Sequence, residues 1–166
     1  MKYSAVYYLS LVLVLLGGMD VHAQDSDSSV LENPELANAR ELLQAGREEI
    51  IREDLQMTEM ESSAFWPVYN EYRDELMVVR DRHATMVAGF VQAYRDAAFT
   101  DEFAEKLIKD HFEIKSALLD IQKQYVPRLR EVLPVLKVAR FYQLENKMDA
   151  ELNAQLALVI PLVEAM

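Results

Sequence analysis

The sequence predicts an all-α protein, an elongated antiparallel helical hairpin or bundle of about four helices, two of them long. Apolar side chains recur at spacings of three and four through most of the chain, the period of a helix that buries one face. No stretch alternates apolar and polar residues with period two, so no strand is expected. Beyond residue 23 the only glycines are Gly46 and Gly89. Connections are therefore short, about two to five residues, and sequential helices must run antiparallel.

The first 23 residues stand apart. Lys2 precedes an apolar run from Ala5 to Leu16, which Gly17-Gly18 interrupts. Val21-His22-Ala23 follows with the small or medium side chains that a signal peptidase accepts, so cleavage before Gln24 and export to the periplasm are expected. The alternative is a retained anchor, but the run is shorter than the roughly 17–25 residues of a spanning helix. No cysteine follows the cleavage site, which excludes a lipid-anchored lipoprotein, and no membrane span is expected after removal. Residues 24–33 are polar and acidic and read as a disordered lead-in. Residues 34–162 are then expected to form a single helical domain, long enough to bury a core.

Asn33 is placed to cap the first helix, with Pro34 at its first position, where a missing N–H costs nothing. Leu36, Ala39, Leu43, Gly46 and Ile50 continue its stripe, widened by Leu42 and Ile51, and Glu48 and Arg52 form an i,i+4 pair on the solvent side. Thr58-Glu59-Met60-Glu61 is a capping box, in which the Thr58 hydroxyl takes the N3 amide and Glu61 reaches back. From there Phe65, Tyr69, Tyr72, Leu76, Val79, His83, Met86, Phe90 and Tyr94 obey the helical spacing without a slip. One helix from about 59 to 97 follows, ~58 Å long at ~1.5 Å per residue. Pro67 inside it removes the bond to the Ser63 carbonyl and is expected to kink the helix without breaking it.

Thr100 caps the third helix, with Asp101 and Glu102 at the positive end of its dipole. Its stripe is Leu107, His111, Ile114, Leu118, Ile121, Tyr125, Leu129 and Val132, with Pro127 a second kink candidate. Leu133-Pro134 ends or sharply bends the run. A last helix extends from Val135 to about Ile160, its inward face Val138, Tyr142, Met148, Leu152, Leu156 and Val159. Each helix is one-sided, so the apolar surface left on a slender hairpin is most easily buried in a homodimer.

The net charge is −11, and loss of Lys2 and Asp20 with the leader leaves it unchanged. Such a chain is a poor ligand for a phosphate backbone, so no nucleic acid partner is expected. The absence of cysteine excludes disulfides, thiol catalysis and cysteine-ligated zinc. Charge is also uneven. Residues 25–61 hold eleven acidic and three basic side chains. Residues 123–147 hold Lys123, Arg128, Arg130, Lys137, Arg140 and Lys147 against Glu131 and Glu145. The two segments either neutralise one another or leave a basic docking surface.

Few side chains carry chemistry. His83 and His111 are the only histidines beyond the leader, and pairing Tyr94 with Phe103 brings His83 opposite Ile114 and His111 opposite Met86. The two imidazoles then lie about one helical turn apart. Their i±3 and i±4 neighbours include no carboxylate, which favours structural histidines over a metal pair. The dispersed methionines fit core packing better than copper binding. Glu145 reads as one half of an ion pair, with Arg128 or Arg130 as candidate partner, in preference to a catalytic acid. No glycine-rich phosphate loop and no nucleophile–base pair is present, so neither enzyme activity nor a cofactor is expected.

Three stretches resemble one known family. Leu55-Gln56-Met57-Thr58-Glu59-Met60-Glu61 is similar to the Leu-Thr-x-x-Gln helix start of the Spy/CpxP group, with Met in place of Leu and Glu in place of Gln. Phe65-Trp66-Pro67-Val68-Tyr69-Asn70-Glu71-Tyr72 and Leu133-Pro134-Val135-Leu136-Lys137-Val138-Ala139-Arg140-Phe141-Tyr142-Gln143-Leu144-Glu145 resemble an uncharacterised branch of that group. The likeness extends from about Leu55 to Leu162. It implies a periplasmic, all-helical, often cradle-shaped dimer, whose relatives act as ATP-independent chaperones, envelope-stress modulators or metal-resistance accessories. The expected function is a non-enzymatic binding protein for partly unfolded or partner proteins in envelope protection. Its candidate contacts are Phe65, Trp66, Arg128, Arg130, Lys137 and Arg140. The alternatives are a metal-responsive accessory using His83 and His111, and a structural adaptor of an envelope complex.

Overall fold

The computed structural model describes residues 34–158 and 160–163, with the side chains of Asn38 and of residues 41 onward. The leader, the acidic lead-in, the Asn33 cap, the side chains of Leu36 and Ala39, and Val159 lie outside the described residues. Within them the fold is all-α, with four helices and no strand: α1 Pro34–Leu55, α2 Glu59–Arg95, α3 Asp101–Val132 and α4 Val135–Ala157. The described chain falls into two compact units, one within Met1–Asp54 and Gln143–Met166, the other Leu55–Tyr142.

The larger unit is built on α2 and α3. Thr58 caps α2 reciprocally: its hydroxyl accepts from the Glu61 amide at 3.2 Å, and its own amide donates to Glu61 Oε2 at 2.7 Å. Both proline-containing helices continue through Pro67 and Pro127. α2 ends at Arg95 in a Schellman arrangement, with the Ala98 amide on the Ala93 carbonyl at 2.9 Å and the Ala97 amide on the Tyr94 carbonyl at 3.3 Å. Ala97 takes φ 50° there, a conformation glycine would adopt without a Cβ penalty. Thr100 then opens α3 by accepting from the Phe103 amide at 3.2 Å.

α2 and α3 pack against each other, and their contacts descend in opposite directions along the chain. Arg128 pairs with Glu71, the Tyr125 hydroxyl donates to Glu75 at 2.7 Å, and Arg82 meets Glu113 at 3.6 Å. These pairs lie within a turn of the register read from the sequence. α3 closes at Leu133, which is extended (φ −133°, ψ 148°), the conformation imposed by a following proline. The Pro134 carbonyl accepts from Lys137 and Val138 and starts α4.

The core of this unit is aromatic. Phe65, Tyr69 and Tyr72 from α2 and Tyr125 from α3 are buried with Phe141 from the first half of α4. Phe141 is the hub, with ring centroids 5.6 Å from Phe65, 6.1 Å from Tyr69 and 5.8 Å from Tyr72, all edge-to-face. Tyr72 and Tyr125 stand 5.3 Å apart. The inward stripe of α4 therefore corrects to Phe141. Tyr142 is half-buried and donates its hydroxyl to the Gln122 carbonyl at 2.7 Å. Leu133 is buried where the sequence placed Val132 inward, and Tyr94 at the far end of the α2 stripe is exposed.

In the smaller unit Ile51, Leu144 and Met148 are buried, and Leu42 is exposed. The inward position beside Gly46 belongs to Arg47, which is buried against α4. On the α1 surface Glu48 accepts from Gln44 Nε2 at 3.1 Å.

Replacing Phe141 by Ala removes ring contacts to three buried partners, and large-to-small changes at such sites cost about 3–5 kcal/mol. Urea denaturation should show a loss in that range, and a loss below ~1 kcal/mol would deny Phe141 its place as hub. Gly89 lies inside α2, and a Cβ there would meet nothing within 4 Å. Gly89→Ala should therefore raise stability by about 0.5–1 kcal/mol through helix propensity. The same denaturation curve checks it.

Candidate functional site

Phe65 is fully buried at the centre of the aromatic cluster, so it can meet no partner while the fold is intact. Trp66 is half-buried. Its ring packs edge-on against Phe65 at 5.2 Å and Tyr69 at 5.4 Å, and its Nε1 donates to Ser62 Oγ at 2.9 Å. Trp66 is thus the outer layer of the core, with Phe65 beneath it.

The basic set is partly committed within the unit. Lys137 Nζ donates to Glu61 Oε2 at 2.7 Å and to the Gln56 carbonyl at 2.9 Å. Lys137 and the Thr58 amide together hold the Glu61 carboxyl below its ordinary range. Gln56 itself has φ 44°, just past the end of α1. Arg128 bonds Glu71 and lies over the Tyr125 ring at 4.8 Å from its centroid, and Glu71 strengthens its hold on the proton. Burial and the Glu75 hydrogen bond push the Tyr125 hydroxyl up to about 12. Arg130 and Arg140 are exposed on α3 and α4.

His83 and His111 are both half-buried and lie on α2 and α3. Burial, and then the charges of His111 and Lys115, push the His83 imidazole below its ordinary pKa. Among the described residues no group of three or more His, Cys, Asp or Glu side chains could hold a metal ion.

Sequence reasoning assigned Glu145 the wrong partner. Glu145 is 2% exposed, and it receives Arg47 Nη1 at 3.1 Å, while Arg47 Nη2 bonds Asp149 one turn further along α4. The arrangement joins α1 to the second half of α4 through one guanidinium and two carboxylates at i and i+4. It is a structural pair, since every polar atom named in it faces another charged group of the same cluster.

A surface feature was also missed. Ile108, Phe112 and Leu119 are 60%, 65% and 48% exposed. Their spacings of four and seven put them on one face of α3, beside the face that packs on α2. The Phe112 ring stands edge-on to His111 at 5.4 Å. The signal was present in the sequence as a second apolar row displaced from Leu107, His111, Ile114 and Leu118.

No family model, curated protein or solved structure matches the chain. Among the described residues no helix is long and apolar enough to cross a membrane.

Removing Arg47 alone leaves Glu145 charged and buried. Arg47→Met should therefore cost about 3–5 kcal/mol in chemical denaturation. Adding Glu145→Leu should restore most of that loss, because the partly buried Asp149 keeps its hydration. A double variant as unstable as the single one would contradict the assignment.

Proposed function

We propose that this chain is an exported, non-enzymatic protein-binding protein of the Spy/CpxP kind. In this reading it is a helical hairpin that holds partly unfolded proteins through the exposed apolar face of α3. The observation that carries the reading is the row Ile108, Phe112 and Leu119, exposed along one side of a helix whose other side is packed. An apolar row on a water-facing helix is a contact surface seeking apolar side chains. The net charge of −11 adds a preference for segments that carry Lys or Arg among them. Basic side chains contribute less, because Lys137 and Arg128 already serve Glu61 and Glu71.

The test is light scattering from a chemically unfolded basic client diluted into buffer with chelator, with and without the purified protein. Near-stoichiometric protein should suppress aggregation, and Ile108→Ser with Phe112→Ser and Leu119→Ser should weaken suppression by roughly tenfold or more, the value of losing ~1.4 kcal/mol of contact. Undiminished suppression by that variant would overturn the surface assignment. A homodimer that buries the same row would appear as a dimeric mass that the triple variant reduces to monomer. That result would reassign the row to self-association.

A further inference from the structure

We infer that the contact between α2 and α3 is an acid-sensitive latch, in which a proton on His83, set against the His111–Lys115 turn of α3, loosens the middle of the helix pair. The geometry comes from the register. Arg82 reaches Glu113 at 3.6 Å, and Tyr125 reaches Glu75 at 2.7 Å. His83, next to Arg82, is therefore set against the His111–Lys115 turn of α3, and both imidazoles are half-buried there.

The charged groups around the pair are unfavourable to a proton on His83. On α2 the helical neighbour of His83 is Arg80, and on α3 that of His111 is Lys115. Of the nearby carboxylates, Asp110 is bonded to Lys106 at 2.6 Å and Glu113 lies between Arg82 and Lys109. Asp81 is half-buried on α2, two residues before His83 and so off its i±3 and i±4 positions. No carboxylate therefore sits in the seam at the i±3 or i±4 positions of either histidine.

The sign of the effect follows from linkage. His83 has a lower proton affinity in the packed state than in an open one, so its contribution to packing is whole above its ordinary value of about 6.5 and is lost as pH falls through the packed-state value. Opening relieves the repulsion and exposes Ile114, buried beside the pair. The rest of the acidic chain responds in the opposite sense, since its net charge of −11 shrinks toward zero on acidification. A local readout is therefore required. This latch does not depend on whether α3 binds clients.

Amide hydrogen exchange of the full protein in chelator, at about pH 7.5 and about pH 5.5 and corrected for intrinsic rates, reads it directly. Segments covering 79–90 and 107–118 should open several-fold more often at the lower pH. Segments around Phe65 and Phe141 should not. His83→Gln with His111→Gln should abolish the local acid response. Lys115→Gln, which leaves both imidazoles, should shrink the amplitude of the acid response, because it removes one of the charges that oppose a proton on packed His83. An acid response unchanged in the histidine variant, or none in the wild-type protein, would overturn the inference. Should the double variant fold poorly, an acid response undiminished by Lys115→Gln would do the same.

Discussion

The fold of the larger unit depends on Phe141. Residues 55–142 contain two long helices that could slide along each other by a turn at little cost, since aliphatic stripes accept several registers. A planar ring inserted edge-on between three others does not. Phe141 meets Phe65, Tyr69 and Tyr72 at once, and Tyr72 in turn meets Tyr125. Each edge-to-face pair adds about 0.5–1.5 kcal/mol beyond burial and also fixes an angle. The short break at Leu133-Pro134 makes this possible, because it returns the chain at once so that α4 starts where the aromatic faces of α2 and α3 converge.

Charge then refines what the rings begin. Lys137, one turn before Phe141, ties the start of α4 to the capping box of α2 through Glu61 and to the start of the α1–α2 connection through the Gln56 carbonyl. The same box that starts α2 thus holds α4. In the smaller unit the polarity is reversed: the basic partner, Arg47, comes from the acidic segment, and the acidic partners, Glu145 and Asp149, come from α4. Buried pairs of this kind contribute more to selecting one register than to net stability. An arginine that must find two carboxylates one turn apart accepts a single alignment of α1 on α4.

Four helices and their starts were legible because a capping box, a threonine cap and a 3.6-residue period are local events. Thr58, Thr100 and Pro134 act within four residues of themselves. The α2–α3 register was nearly as legible, since a five-residue connection leaves little choice. The choice between Phe141 and Tyr142 was not local. Both satisfy the helical spacing from Val138, and what selects Phe141 is a set of rings from residues about seventy positions away, Phe65, Tyr69 and Tyr72. Arg47 was hidden for a similar reason. Its neighbour Gly46 satisfied the stripe, and a buried guanidinium becomes sensible only once Glu145, ninety-eight residues on, is known to face it.

The surface row on α3 and the histidine pair beside it arise from the same departure from a simple amphipathic helix. A helix packed on one neighbour needs a single apolar stripe, and α3 carries two, with His111 and Lys115 at their boundary. On the packed side Leu107, Ile114 and Leu118 meet α2. On the exposed side Ile108, Phe112 and Leu119 meet water. Phe112 packs nearly at right angles to the His111 ring, so the exposed row and the packed stripe meet at this turn. The exposed apolar face and the histidine-bearing seam are thus two sides of one turn of α3.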